Sequence, residues 1–357
     1  MTTTFEVVPP RSLRLRRVDP SGAGLTRRRR GKGFEYLDER GRRIDDEETV
    51  ARIKALVIPP AWTDVWIAPE ANGHIQAVGT DAAGRRQYRY HDAWRERRDR
   101  SKHERMEAFA RRLPAFRKEI GEDLARRGLP RERVLASAAR LLDRAFFRVG
   151  GESYTEQNGS FGLATIRRDH VRVRGSQLTF DYTAKGGIRR IQRLGDPELA
   201  KVVKALRRRD DESPELLAWK ERGRWRDVRS ADINTYLKER AGDDVSAKDF
   251  RTWHATVLAA VFIADKELQA TSNTSRKRLA AAAVREVSGF LGNTPAVCRA
   301  SYIDPRVIDR FMDGETIVSD LVEIGTDDLT DPDVQARVET AVLDLLTGDR
   351  RPALRAA

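Results

Sequence analysis

Leu291-Gly292-Asn293-Thr294-Pro295-Ala296-Val297-Cys298-Arg299-Ala300-Ser301-Tyr302 is the stretch on which the reading of this chain turns. Gly292 suits the left-handed end of one helix, and Thr294-Pro295 suits the cap and first turn of the next. Tyr302 then stands at the far end of that second helix. It is one of seven tyrosines, and a tyrosine by itself packs or hydrogen-bonds like any other. Its meaning depends on which cations the rest of the chain can bring to it.

Working back toward the N-terminus, Ser275 starts the helix that Gly292 ends. Ser246-Ala247-Lys248-Asp249 reads as a capping box for a long helix carrying Val257, Leu258, Val261 and Phe262. Arg251 falls in its early turns, near the positive end, where a bound phosphate is a natural partner. Ser230 reads as the cap of an earlier helix, and Asp196-Pro197 opens another. Before these comes a β patch of Leu163–Arg167, His170–Arg174, Gln177–Tyr182 and Ile188–Gln192, turned at Gly175-Ser176 and at Thr183-Ala184-Lys185-Gly186-Gly187. Lys185 is thus at a hairpin tip, either a solvated loop lysine or one that swings into a ligand. Glu132–Phe147 has helical periodicity, with Pro130 in its first turn, and Gly150-Gly151 stops it with Arg148 at the mouth of the turn. Ser101–Arg127 is helical with a break expected at Pro114.

The N-terminal part reads differently. Val65-Trp66-Ile67-Ala68 begins a run of strands separated by Asn72-Gly73 and Ala83-Gly84, as in an antiparallel meander. Phe34–Leu37 pairs in a hairpin with a strand after Asp38–Gly41, and 51–57 is a short helix or strand. In Gly84-Arg85-Arg86-Gln87-Tyr88-Arg89-Tyr90, period-2 geometry puts Arg86, Tyr88 and Tyr90 on one face and Arg85, Gln87 and Arg89 on the other. This is either a groove reader, with Gln87 on a base edge and arginines on phosphate, or an edge strand whose tyrosines pack on the sheet. Residues 1–33 read as an irregular arm whose Arg27–Arg30 run is either solvated or in contact with phosphate.

The chain of 357 residues carries 68 basic and 55 acidic side chains, a formal charge of +13, which points to a polyanionic partner. No apolar run spans a membrane, and Met1-Thr2-Thr3-Thr4-Phe5-Glu6 lacks the order of a signal peptide, so a cytoplasmic or nucleoid location is expected. Cys298 is the one cysteine, the five histidines are scattered, and no phosphate-binding glycine motif is present. The chemistry is therefore expected to need neither a nucleotide cofactor nor a tightly bound metal. After Asp313 the chain turns acidic. The expected fold is α+β: a basic arm (1–33), a β-rich domain (34–93), a mainly helical domain with a small sheet (94–312), and an acidic helical tail packed on or following it (313–357).

Phe147-Arg148-Val149-Gly150, Lys185, Lys248-Asp249-Phe250-Arg251-Thr252, Gly292-Asn293-Thr294-Pro295 and Tyr302 occur in this order. In order and spacing they resemble the poxvirus-like type IB DNA topoisomerases, and more closely their small bacterial relatives. The resemblance runs from about Val57 to Tyr302. It implies that Tyr302 attacks a DNA phosphodiester, leaving a 3′-phosphotyrosyl bond and a 5′-hydroxyl. Arg148 and Arg251 would grip the non-bridging oxygens, Lys185 would protonate the leaving oxygen, and Lys248 would assist that transfer. Poxvirus members carry histidine where this chain has Asn293, and an asparagine amide can donate the same hydrogen bond. Gln87, Tyr88 and Tyr154 match positions that touch DNA, but Gly151 stands where the poxvirus enzymes have a lysine that helps read their site. The resemblance also implies a monomer in which a β-rich DNA-binding domain (34–93) and a mainly helical catalytic domain with a small three-stranded sheet (94–312) form a clamp around duplex DNA.

The chemistry is consistent with that set. Guanidinium groups can stabilise the charge on a phosphoryl group without a metal, and a phenol of pKa about 10 needs cations nearby to ionise cheaply. A leaving alkoxide is far more basic, so a general acid contributes about two to four orders of magnitude. Religation through a covalent intermediate needs no ATP. Two other readings remain at this level: a tyrosine recombinase, which shares the chemistry but usually places histidine where Lys248 stands, and a non-catalytic DNA-binding protein in which Tyr302 only packs.

Overall fold

The computed structural model describes residues 14–82, 84–325 and 331–349. The chain divides into two compact units, residues 1–102 and 103–357.

The first unit holds β1 (Leu25–Arg30), β2 (Gly33–Leu37), α1 (Glu47–Ala55), β3 (Thr63–Ile67), β4 (Ile75–Thr80) and β5 (Arg86–Tyr90), in an antiparallel sheet ordered β2-β1-β3-β4-β5. Leu25, Ile53, Val65, Ile67 and Ala77 form its core. The run Arg27–Arg30, expected in an irregular arm, is instead strand. Its cations find partners as the strand alternates: Arg27 lies 4.1 Å over the Phe34 ring and donates to the carbonyls of Ile58, Pro59 and Trp62, while Arg28 and Arg30 pair with Glu35. The strand expected after Asp38–Gly41 is only a single bridge between Arg43 and Leu37, on the edge of β2 that β1 leaves free. Residues 51–57, left open between helix and strand, belong mostly to α1, capped by Asp46.

Helix α2 (Asp92–Leu124) runs through Pro114 without the expected break, and the division between units falls within it. Phe109, Leu113, Phe116, Ile120 and Leu124 on its apolar side are all buried, and that burial outweighs the one backbone hydrogen bond a proline removes.

The second unit contains α3 (Arg131–Ala145), α4 (Glu152–Asn158), β6 (Val171–Arg174), β7 (Gln177–Ala184), β8 (Ile188–Gly195), α5 (Pro197–Arg207), β9 (Ala218–Glu221), β10 (Arg224–Asp227), α6 (Ser230–Ala241), α7 (Ala247–Lys266), α8 (Asn273–Leu291), α9 (Pro295–Ser301), α10 (Pro305–Met312), α11 (Val318–Ile324) and α12 (Pro332–Thr347). Strands β6-β7-β8 make a three-stranded antiparallel sheet. Leu163–Thr165, expected as strand, is a turn of 3-10 helix: Leu163 and Ala164 give their N–H groups to the carbonyls of Arg148 and Val149 rather than to a ladder. Here Gly150 and Gly162 cross so closely that a Cβ on either would come within 2.7 or 2.4 Å of the other's Cα.

Residues 218–227, expected within a helical region, form the β9–β10 hairpin around Arg222-Gly223, both with positive φ. Helix α6 takes its cap from the Glu152 carboxylate, which accepts from the Ser230 N–H and hydroxyl. Helix α8 starts at Asn273 with Ser272 as its cap, two residues before the expected Ser275. The acidic C-terminal segment is part of the core: α12 buries Val338, Ala341, Val342, Leu345 and Leu346, and its Glu339 accepts from Arg117. Arg117 also pairs with buried Asp143 on α3, and His254 of α7 approaches the same carboxylate at 3.3 Å. Among the described residues no helix is long and apolar enough to cross a membrane.

Candidate active site

Helix α7 begins where the sequence indicated, with Ser246 donating both its N–H and its hydroxyl to the Asp249 carboxylate. Lys248 lies exposed in the first turn and Arg251, 3% exposed, one turn in. Arg251 Nη1 donates to the Phe146 carbonyl at 2.6 Å and Nη2 to the Leu291 carbonyl at 2.9 Å. Phe146 ends α3 in the left-handed region, with φ 55° and ψ 28°, where a residue with a bulky side chain is rarely found. That turn aims its carbonyl at Arg251 and brings Arg148 round two residues later. The Phe146 ring packs edge-on against His254, centroids 5.3 Å apart.

Gly292 closes α8 at φ 62°. Arg148 Nη2 donates to its carbonyl at 2.9 Å and to Asn293 Oδ1. Because Oδ1 faces Arg148, the Asn293 amide must present Nδ2 on its other side. That Nδ2 is buried and has no hydrogen-bond partner in the structure, and the same holds for Nε of Arg251. Buried donors are rarely left so, since each costs roughly 1–3 kcal/mol.

Thr294 caps α9 through the Val297 N–H, Pro295 fills its first position, and Tyr302 follows its last turn. The Tyr302 N–H bonds to the Cys298 carbonyl, and its own carbonyl accepts from Thr256 on α7. The half-buried ring lies 5.2 Å from Arg251 Cζ and 5.9 Å from Lys248 Nζ. Burial and the charge of Arg148 push the Arg251 guanidinium down to about 10, while Tyr302 draws it back up, so it stays protonated at neutral pH. Burial pushes nearby Tyr182 up to about 12.

Five of the six residues expected for catalysis, Arg148, Lys248, Arg251, Asn293 and Tyr302, are thus gathered from three segments. Lys185 stands on the exposed β7–β8 turn, followed by Gly186 and Gly187 with φ of 83° and 73°. Phe146 and two side chains of β8, Arg190 and Gln192, were missed. Only the inward alternation of β8 signals the latter pair.

In the first unit, Arg86, Gln87, Tyr88 and Tyr90 lie on β5 and Arg85 in the turn before it. Tyr88 and Tyr90 stack with centroids 6.0 Å apart, and Tyr88 is 44% exposed. Arg85 and Gln87 both bond to Asp81, at 2.8 and 2.9 Å. Tyr154 falls on α4, and its side chain lies outside the described residues.

The family described as eukaryotic DNA topoisomerase I, catalytic core, matches residues 91–315, more than half of the chain, and that of the bacterial DNA topoisomerase IB N-terminal domain matches residues 33–81. The DNA topoisomerase 1B of Acanthamoeba polyphaga mimivirus is 28% identical over 285 residues, covering 78% of this chain and 85% of the relative. The DNA topoisomerase 1B of vaccinia virus strain Copenhagen is 21% identical over 282 residues, covering 75% and 84%. With these matches following the same segments that converge on Tyr302, the chain belongs to the type IB DNA topoisomerases, on their poxvirus-like bacterial branch, and is an isomerase of DNA.

Proposed function

We propose that Tyr302 is the nucleophile of this topoisomerase and that Arg148, Arg251 and Asn293 hold the phosphate it attacks. As Tyr302 Oη bonds to phosphorus, the phenol proton leaves and the bond from phosphorus to the 5′-oxygen breaks. Lys185 supplies the proton that the departing oxygen takes up, and Lys248 assists that transfer. The reverse reaction restores the strand and returns the proton, so phosphodiester energy is conserved and no ATP is consumed. Between the two steps the free 5′ end turns about the intact strand and supercoils relax.

The observation that carries this reading is the convergence of Arg148, Lys248, Arg251 and Asn293 on Tyr302, with two buried donors of that cluster, Arg251 Nε and Asn293 Nδ2, left without partners. Both belong to side chains already anchored by other bonds, so they are pre-placed for an acceptor rather than mobile. Two cations over the Tyr302 ring add the charge that a developing phenolate or a bound phosphate needs. Arg85, Arg86, Gln87, Tyr88, Tyr90 and Tyr154 contact the duplex in this reading, and the protein works as a monomer, clamped on duplex DNA, without nucleotide.

The test is relaxation of a supercoiled plasmid in EDTA without ATP. Wild type relaxes it and leaves a denaturation-resistant protein–DNA adduct, while Tyr302→Phe does neither. An adduct formed by Tyr302→Phe would remove Tyr302 from the role.

A further inference from the structure

Helix α8 ends in four successive carbonyls, of Gly289, Phe290, Leu291 and Gly292, and three arginines from three different segments donate to them. Arg251 takes Leu291 and Arg148 takes Gly292. Arg190 takes the first two, with Nη1 2.9 Å from the Gly289 carbonyl and Nη2 on that of Phe290. A helix C-terminus carries unsatisfied acceptors and a partial negative charge, so it can hold guanidinium groups that would otherwise repel one another. That repulsion is felt: Arg148 and Arg190 both push down the Arg251 guanidinium.

Arg190 is not on the same footing as the other two. It sits on β8, opposite Tyr182 in the register of the β7–β8 hairpin, whose last pair before the tip is Ala184 with Ile188. Lys185 is the next residue along that tip. Inward-facing Gln192, two residues further down β8, accepts from the Tyr182 hydroxyl at 2.8 Å and donates to the Ala145 carbonyl at the end of α3. The hairpin is therefore tied on one side to the segment leading into Arg148 and on the other, through Arg190, to the turn that leads into Asn293 and Tyr302. Gly292 is fitted to this tie, since a Cβ there would come within 3.0 Å of Arg190 Nη1.

We infer that Arg190 is a positioning residue that docks the hairpin bearing Lys185 against the α8–α9 turn, and so sets where the proton donor stands relative to Tyr302. The inference rests on the proposed role of Lys185 as general acid. Losing the dock leaves the phosphate cradle in place and lets the acid drift from the 5′-oxygen, and a misplacement of about 1 Å costs roughly a hundredfold in rate.

The experiment uses single-turnover cleavage of a duplex carrying a site first mapped on plasmid DNA. One version has the ordinary 5′-oxygen at that site and the other a 5′-sulfur, whose thiolate leaves without a proton. Arg190→Ala is expected to slow cleavage of the ordinary duplex by about ten- to a hundredfold while cleaving the 5′-thio duplex close to the wild-type rate. Non-covalent DNA affinity and its salt dependence should stay as in wild type. Equal slowing on both duplexes, wild-type rates on both, or a salt slope reduced by about one, the sign of a lost phosphate contact, would each overturn the inference.

Lys185→Ala run in parallel separates the two readings. If it slows both duplexes equally, the acid assignment falls and takes this inference with it. If Lys185→Ala is selective and Arg190→Ala is not, only the inference falls. Should Arg190→Ala lose its cooperative thermal transition, Arg190→Lys carries the test. It keeps charge and reach but not the fork, and is expected to show the same selectivity with a smaller loss.

Discussion

Asn293 offers a sharp test of the phosphate cradle, because its two amide atoms have been given different jobs. Oδ1 accepts from Arg148, which leaves the partnerless Nδ2 to donate. Asn293→Ala removes that donor, and loss of one pre-placed donor of this kind costs about 10²–10³ in rate. Asn293→Asp keeps the shape and the contact with Arg148 but puts an anionic oxygen where Nδ2 stood. Two unit charges about 4 Å apart at an effective dielectric near 20 repel by about 4 kcal/mol, close to a thousandfold. Arg148 beside the new carboxylate offsets part of this, so Asn293→Asp should fall at least about tenfold below Asn293→Ala. Asn293→His, with a ring N–H able to donate, should be the most active of the three. Single-turnover cleavage of a mapped duplex, with thermal melting as the check on folding, ranks them as His above Ala above Asp. Cleavage by Asn293→Asp equal to or faster than Asn293→Ala would refute the assignment of Nδ2 as a donor to the phosphate.

Arg251→Lys retains a cation but cannot reach both the Phe146 and Leu291 carbonyls in the same geometry; cleavage should drop about a hundredfold or more, with a much smaller change in DNA affinity, readable from single-turnover rates at saturating enzyme. Glu339→Gln leaves Arg117 with Asp143 as its one charged partner and should lower the melting temperature by ~5–10 °C in calorimetry without changing the cleavage rate of the folded enzyme. Burial alone would raise the Asp143 carboxyl, but the charge and hydrogen bonds of Arg117, with His254 close by, outweigh it and hold it well below the usual carboxylate range. Its folded value being depressed, its stabilisation is complete above the unfolded value of about 4 and is lost as pH falls below that, so Asp143→Asn should flatten the acid limb of stability against pH. DNA affinity should fall steeply with salt, and a nearly flat log–log slope would show that the basic surface does not bind the duplex.

Local signals in the sequence carried far. The Ser246 capping box, the Gly292 stop and the Thr294-Pro295 start all place their helices to within a residue, because each is a short-range hydrogen-bonding arrangement that the tertiary structure leaves alone. The four side chains that lie with Tyr302, those of Arg148, Lys248, Arg251 and Asn293, sit on segments that the sequence had already marked. What the sequence concealed was decided at longer range. Pro114 reads as a break, yet the buried side of α2 keeps the helix going. Leu163–Arg167 looks like a strand, but its first N–H groups are spent on the Arg148 and Val149 carbonyls. The β9–β10 hairpin hides among charges, since Trp219 and Trp225 alternate with Lys220, Arg224 and Arg226 in a pattern poor in aliphatic residues. Arg190 and Phe146 were invisible as site residues because their part is played through backbone carbonyls, which no side-chain pattern records.

The crossing of Gly150 with Gly162 bears on how freely this active site can drift over evolutionary time. At Asn293 the contact proposed for the phosphate would be made by a side chain, and any other side chain with a donor at the same reach is an available neighbour in sequence space. At the glycine crossing the obstacle to a new Cβ is the other segment's main chain, and Gly150 additionally stands at φ 76°. No exchange of the facing residue creates room, because glycine is already the smallest. The loop behind Arg148 is therefore expected to reject single and paired substitutions alike: its chemistry can be retuned from the side chains inward, but its path cannot.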